Sequence, residues 1–394
     1  MSTNVKSSPL MPTYNRFPLS IVKGKGSKVW DQQGVEYLDY TSGIATCNLG
    51  HVPNVVKEKL EDQLQSLWHC SNLYHIPVQE QLATLLVENS VFDQVFFCNS
   101  GAEANEAAIK LARRYAQKVK ETDAYEIVTF TQSFHGRTLA SLSATGQEKL
   151  QAGFYPLLPG FRYLPYNNLP ALEELVAEQT CAVLLELVQG EGGVVPADPE
   201  WIAEIVQLCE KHGLLLMVDE IQTGMGRTGT LFAYEQYGIK PDVVSLAKGL
   251  GSGFPIGAIL ANEKAAKGFE PGTHGSTFGG NPLAAAAGLA TVEHMVTSNV
   301  IQQAKEIGQY LAEELQVVQE TFKHVETIRG RGLLQGMVMK DQAIKVVDKM
   351  REHQILILTA GPNVVRILPP FTTTKEEVDH FIQVLKLVLG ELDS

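Results

Sequence analysis

The sequence predicts an α/β fold: a large domain built on an open, mostly parallel sheet, followed by a smaller α+β unit. Three observations carry this. Apolar runs of strand length recur between amphipathic helical stretches, as at Val95–Cys98, Glu126–Phe130, Ala182–Leu185, Leu214–Val218 and Val243–Ala247. Each of these runs ends in polar, charged or glycine-rich sequence, the place where open α/β sheets hold ligands. From about Asn299 the character changes to long amphipathic helices with few strands. The 394 residues, 44% hydrophobic and 19% charged, are enough for two cores. The divisions expected are 1–50, 51–295 and 296–394.

Composition also excludes function classes. A net charge of −12 argues against non-specific binding to nucleic acid or anionic membranes. No apolar run reaches the ~18 residues a membrane helix needs. The first residues lack the charged-then-apolar pattern of a secretory signal. Five scattered cysteines, without CxxC or metal spacing, read as reduced thiols in a cytoplasmic protein, and no metal site is expected.

Taken in order, Val29–Asp31 and Val35–Asp39 flank a Gln33-Gly34 turn and read as a hairpin. His51, in GHVPN, reads as structural. Asn54–Gln65 and Pro77–Asn89 are amphipathic helices, the second with Pro in its first turn. The strand Val95–Cys98 breaks at Asn99-Ser100-Gly101-Ala102-Glu103, and a helix continues to about Ala116. Free N–H groups at such a turn can cradle a phosphate, and the same residues can simply cap a helix. Glu126–Phe130 delivers Ser133-Phe134-His135-Gly136-Arg137. An aromatic there can stack on a flat ring or pack in the core. The arginine can bind a carboxylate or form a surface ion pair. Ala182–Leu185 presents Glu186, then Gln189-Gly190-Glu191. Asp198-Pro199 caps a helix that runs to about Lys211.

The densest chemistry lies in 214–248. Leu214–Val218 ends in Asp219 and Glu220, and Val243–Ala247 ends in Lys248 before GLGSG. A lysine amine reacts with carbonyls only when deprotonated, and burial lowers its pKa. A carboxylate can hold a heterocyclic nitrogen protonated. Alone, Lys248 would read as a solvated surface lysine. Gly224-Met225-Gly226-Arg227-Thr228-Gly229 fits GxGxxG, but no strand directly precedes it and no helix directly follows. Phe254–Leu260 reads as a return strand. The glycine-rich loop His274–Pro282 precedes an alanine-rich helix. Beyond it, Ala304, Ile307, Leu311, Leu315, Val318 and Phe322 form a core stripe. Strands near Gly332–Met339 and Val364–Leu368 flank a helix at Ala343–His353. Thr374 and Glu377 form a capping box for the last helix.

Together the segments SGAEANEAA, DEIQTGMGRTG, SLAKGLGSG and GSTFGGNP make the chain resemble the class III aminotransferases, over roughly residues 12–390. A lysine twenty-nine residues after Asp219 belongs to that pattern. The resemblance implies a fold-type I architecture with a seven-stranded sheet, and pyridoxal phosphate bound as a Schiff base on Lys248. It makes Asp219 the partner of the pyridine nitrogen and Gln222 a neighbour of the phenolic oxygen. Glu220 and Ile221 are implied as further cofactor contacts. It makes Ser100, Gly101 and Ala102 the phosphate turn, Phe134 the ring cover, and Thr277 a phosphate ligand supplied across a homodimer interface. It implies substrate contacts at Arg137, Ser276, Glu191 and Arg366, with Glu191 releasing Arg366 when a dicarboxylate arrives. His135 stays unassigned or lines the ring. Leu187 stands where the family has proline. Within the family, the compact length and the SLWHCSNLYH segment are similar to the acetylornithine type. That implies transfer of the δ-amine of N-acetylornithine to 2-oxoglutarate, in arginine biosynthesis. Ornithine, 4-aminobutyrate and succinylated donors are the alternatives.

Overall fold

The computed structural model describes residues 9–341 and 343–392. Its centre is a seven-stranded sheet. In chain order the strands are β1 (Gln94–Cys98), β2 (Glu126–Phe130), β3 (Phe161–Leu164), β4 (Thr180–Leu185), β5 (Leu215–Asp219), β6 (Val243–Leu246) and β7 (Gly257–Ala261). Their order across the sheet is β1-β7-β6-β5-β4-β2-β3. Only β7 runs antiparallel to its neighbours. The carboxyl ends of all the others therefore share one rim.

The sequence explains why this sheet is central. Strands β4, β5 and β6 are buried at every residue, as unbroken apolar runs require when helices cover both faces. Helix α1 (Gly101–Arg114) and helix α2 (Pro199–His212) are among those helices. Asp198 caps α2 by accepting from the N–H groups of Glu200 and Trp201, and Gly213 ends it in the left-handed conformation. The alanine-rich helix α3 (Pro282–Thr297) packs against Asn54–Leu64 and Pro77–Glu88. Its small side chains allow that close approach.

Helix α4 (Val300–Thr321) leads into a four-stranded antiparallel sheet. Its strands are β8 (Val325–Arg331), β9 (Leu334–Met339), β10 (Leu358–Thr359) and β11 (Val364–Ile367), in the order β8-β9-β11-β10. The last helix, α5 (Lys375–Leu392), buries Val378, Phe381, Leu385 and Val388. Each such fully buried side chain contributes about 1.5–3 kcal/mol. The capping box is present: the Thr374 N–H donates to Glu377 and the Glu377 N–H to Thr374 Oγ1. Near the N-terminus, Ile21–Lys25, Lys28–Asp31 and Glu36–Asp39 form a meander. It pairs in parallel with Ile355–Leu356.

Some boundaries differ from expectation. Helix α1 ends at Arg114 and a π-helical turn, Tyr115–Val119, follows. The return strand starts at Gly257, because Phe254, Pro255 and Ile256 line a pocket instead. Ile21–Lys25, β3 and β8 were not expected. The first of these is exposed along nearly its whole length, so it carries no alternating pattern. Gly224–Gly229 forms successive turns, as its context required. Among the described residues, no helix is long and apolar enough to cross a membrane, and no side-chain cluster has metal-ligand character.

Candidate active site

A cavity of about 390 Å³ opens at the carboxyl rim of the large sheet. Five of the strands contribute residues at or past their carboxyl ends. Beyond β1 come Asn99, Ser100, Gly101 and Ala102; beyond β2, Phe134, His135, Gly136 and Arg137; beyond β4, Glu186 and Glu191. Strand β5 brings Asp219, Ile221 and Gln222, and β6 brings Lys248.

Asp219 forms the floor. Its Oδ2 lies 2.8 Å from His135 Nδ1 and accepts from Asn105 Nδ2, also at 2.8 Å. Its Oδ1 accepts from the Ile221 N–H at 3.0 Å. Asn105 also donates to the His135 carbonyl at 2.7 Å, so it holds both the ring's backbone and the carboxylate. His135 Nε2 and Asn105 Oδ1 are buried without a partner. Neither Asn105 nor the position of His135 on Asp219 was foreseen.

Lys248 follows β6 with φ +42, a left-handed conformation that costs a non-glycine residue about 1–3 kcal/mol. Burial holds its amine below the usual lysine range; the nearby Glu191 carboxylate opposes that. Glu186 is buried close to Asp219. Burial first, and the Asp219 charge second, push its carboxyl well above the usual range. It accepts the Phe134 N–H at 3.0 Å and so fixes the start of the aromatic turn. The sequence had shown Glu186 at a strand end without indicating this partner.

Helix α1 begins at the cavity. Ser100 caps it by accepting from the Glu103 N–H. The N–H groups of Gly101 and Ala102, in its first turn, have no intrahelical acceptor. A Cβ on Gly101 would stand 2.9 Å from Ile221 Cδ1, so glycine lets the helix start this close to the DEIQ turn.

Two arginines stand at another wall: Arg137 lines the cavity, and Arg366 lies outside the lining, paired with the lining residue Glu191. Arg137 is exposed and its guanidinium lies 5.7 Å from the Phe134 ring centroid. Arg366, on β11, is buried, and its Nη1 donates to the Glu191 carboxylate and to the Gly190 carbonyl at 3.1 Å. Gln222 Oε1 lies 3.4 Å from the same nitrogen. Burial would raise Glu191, but the Arg366 charge and hydrogen bond outweigh it and hold the carboxyl below its usual range. Leu187, in place of a proline, is fully buried, and its carbonyl accepts the Ala197 N–H.

Three expected contacts lie elsewhere. Glu220 is a correction: its carboxylate faces away from the cavity and accepts from the N–H groups of Ala233 and Tyr234, each at 2.8 Å. Alternation along the strand sends neighbouring side chains to opposite sides, so Asp219 and Glu220 cannot both face the slot. Burial pushes Glu220 up to about 7 despite those donors. Thr277 is exposed and outside this chain's cavity. Ser276 Oγ accepts the Gly279 N–H at 2.9 Å and lies 3.2 Å from Asn99 Nδ2, beyond the cavity lining. His51 is structural: its Nε2 lies 2.7 Å from Asp39 Oδ2.

The residues present fit an anionic, flat heteroaromatic carbonyl compound. The free N–H groups at the start of α1 line the cavity and suit an anion. Phe134 offers an aromatic wall, Asp219 a fixed carboxylate, and Lys248 an amine whose pKa is lowered. Fold and site define an enzyme of amine chemistry, with its centre on the rim of a fold-type I sheet. The chain belongs to the class III aminotransferase family, whose model matches residues 10–389, and it is an aminotransferase. It is 57% identical to the acetylornithine aminotransferase of Oceanobacillus iheyensis, covering 99% of this chain and 98% of that one. It is 51% identical to the enzyme of that name from Halalkalibacterium halodurans, covering 98% of each. Among solved structures it resembles an ornithine aminotransferase from Toxoplasma gondii ME49 with a TM-score of 0.94. The identity there is 32%, over 98% of this chain and 93% of that one. An N-acetylornithine aminotransferase from Stenotrophomonas maltophilia K279a gives 0.84 and 38%, over 96% and 97%.

Proposed function

We propose that this protein is a pyridoxal phosphate enzyme that moves the δ-amino group of N-acetylornithine to 2-oxoglutarate, giving N-acetylglutamate 5-semialdehyde and glutamate. The carrying observation is one slot with Lys248 and Asp219 at its floor and Glu191 at its wall, paired outside the lining with Arg366. Full-length relatives of that name support the donor. The expected setting is arginine biosynthesis.

Lys248 would hold the cofactor, with Asp219 and Gln222 toward its ring, Ile221 and Phe134 against its faces, and Ser100, Gly101 and Ala102 at its phosphate. When bound, the cofactor supplies the carbonyl that takes the amine and a sink for the electrons left at the substrate carbon. The chain's residues do the rest. Asp219, fixed by His135, Asn105 and the Ile221 N–H, presents a carboxylate of one orientation, which keeps a facing ring nitrogen protonated. Lys248, with its amine pKa lowered, carries a proton off and onto the substrate carbon. Arg137 takes a substrate carboxylate in its planar fork. Arg366 stays neutralised by Glu191 for the amine donor and is freed for the second carboxylate of 2-oxoglutarate or glutamate.

The working unit is a homodimer. Trp68, Leu73, Tyr74 and Phe278 are 62%, 90%, 69% and 59% exposed, a dense apolar surface beside Ser276 and Thr277. Asn72 ties the two segments, donating to the carbonyls of Ser276 and Gly279. Pairing across that surface would cover it and bring Thr277 to the partner's phosphate turn, with Ser276 near its substrate. Residues 51–295 would carry the cofactor, with 1–50 and 296–394 forming the substrate-side unit. Five cysteines without a disulfide suit a cytoplasmic location.

Ornithine is the second donor to weigh, because the fold likeness to the Toxoplasma gondii enzyme is as strong as any reported above. The test is a half-reaction: purified holoenzyme mixed with N-acetylornithine, ornithine or 4-aminobutyrate, without oxo acid, while the cofactor's visible absorption is followed. Fast change with N-acetylornithine alone is expected. Fast change with ornithine or 4-aminobutyrate instead would move the protein to a sister activity.

A further inference from the structure

Arg329, Gly336 and Arg366 form one row across the small sheet. Arg329 of β8 pairs with Gly336 of β9, and Gly336 pairs with Arg366 of β11. Directly opposed residues of antiparallel strands project from the same face. Two guanidinium side chains therefore leave one face with a residue lacking a side chain between them.

Segment 190–194, which carries Glu191, lies in that gap. A Cβ on Gly336 would stand 2.7 Å from Val194 Cβ. Arg366 grips the start of the segment through the Gly190 carbonyl and the Glu191 carboxylate. Arg329 grips the end: its Nε and Nη2 both donate to the Gly193 carbonyl, at 2.8 and 2.6 Å. Gly193 has φ +106, and a Cβ there would meet Arg329 Nη2 at 2.7 Å. No ion pair of Arg329 is found among the described residues. A half-buried cation is thus placed against a carbonyl alone. Such a charge-assisted bond fixes a backbone more firmly than a neutral one, at a desolvation cost a plain surface fastening would avoid.

We propose that Arg329 is a positioning residue for the Glu191–Arg366 pair, pinning the 190–194 backbone so that substrate exchange moves only the Glu191 side chain. The proposal rests on the reading of that pair given above and deepens it. With the backbone pinned, Glu191 returns to Arg366 whenever no second carboxylate is present, which is the state the amine donor needs. With the pin removed, Glu191 drifts from Arg366. The donor half-reaction then suffers, while the dicarboxylate half-reaction, which requires Glu191 to leave, does not.

The experiment compares half-reactions of the holoenzyme with N-acetylornithine and with glutamate for Arg329→Gln, Arg329→Lys, Glu191→Gln and the Arg329→Gln/Glu191→Gln double variant. Arg329→Gln is expected to lower kcat/KM for N-acetylornithine about tenfold and to change that for glutamate less than about threefold, within the range of couplings between contacting groups. Arg329→Lys recovers part of the loss. In the Glu191→Gln background, Arg329→Gln no longer moves the ratio of the two rates. Equal slowing of both half-reactions, or the same ratio change with and without Glu191, would overturn the proposal. If Glu191→Gln shifts the ratio and Arg329→Gln does not, the proposal alone falls. If Glu191→Gln leaves the ratio unchanged, the reading of the pair falls and takes the proposal with it. Should Arg329→Gln fail to fold, Gly336→Ala presses on Val194 from beneath the same segment. It must shift the ratio in the same direction, and an unchanged ratio would overturn the proposal.

Discussion

The two walls of the cavity are built on different principles. The floor, around Asp219 and Lys248, is assembled from the ends of parallel strands in one sheet and from a helix packed on it. Asp219 has its three partners in His135, Asn105 and the Ile221 N–H, all within the same layered unit. The substrate wall is assembled across units. Glu191 leaves the rim of the large sheet, while Arg366 comes from β11 of the small sheet, 175 residues later. The floor has one arrangement that every packed strand enforces. The wall has a charged pair whose members belong to separate supports, so it can have two. A site that must hold one cofactor and take two unlike substrates needs that division.

Variants test the contrast by showing where rigidity matters and where alternation does. Lys248→Ala should abolish transfer, with a loss of at least about 10³-fold, because among the described residues no second lysine lines the slot. Residual turnover within tenfold of the parent would remove Lys248 from the floor. Asp219→Asn keeps the shape but not the charge, and should cost about 10²-fold in both half-reactions alike. A loss confined to one substrate would place Asp219 with the wall instead.

Glu191→Gln should leave cofactor affinity unchanged and alter the ratio of N-acetylornithine to glutamate rates about tenfold, the size expected when one member of a coupled pair goes. Stopped-flow half-reactions read it directly. Equal effects on both substrates would mean the wall has only one state.

The smallest effect concerns stability, at a residue outside the cavity lining. Hydrogen bonding to Asp39, then to Cys47, raises His51 from its ordinary 6.5 to about 10. A folded-state pKa above the unfolded one stabilises fully below about pH 6.5 and is lost as pH rises toward 10. The Tm difference between the protein and His51→Gln should therefore be largest below pH 6.5 and shrink toward pH 10. A difference that grows with pH would contradict the His51–Asp39 pairing.

The floor was legible in sequence because its parts follow unbroken apolar runs. Leu214–Val218 and Val243–Ala247 read as buried strands, which puts Asp219 and Lys248 at their ends, while the roles of the two residues rested on the family resemblance. Glu220 was misplaced for a local reason. It adjoins Asp219, and a strand turns adjacent side chains to opposite sides. Asn105 was missed because its partner is 114 residues away and nothing in an α-helical GAEANEAA marks which face meets the rim. The Glu191–Arg366 contact was foreseen from family pattern alone. Arg329 was not foreseen, since its role depends on the register of three strands. Strand ends can be read from hydrophobicity; cross-sheet rows cannot.

The most direct test of the floor is to reduce the purified protein with borohydride, digest it, and map the added mass. A pyridoxyl phosphate adduct is expected on the peptide containing Lys248 and on no other. An adduct on a different lysine, or none in protein that shows the cofactor's absorption, would contradict that expectation.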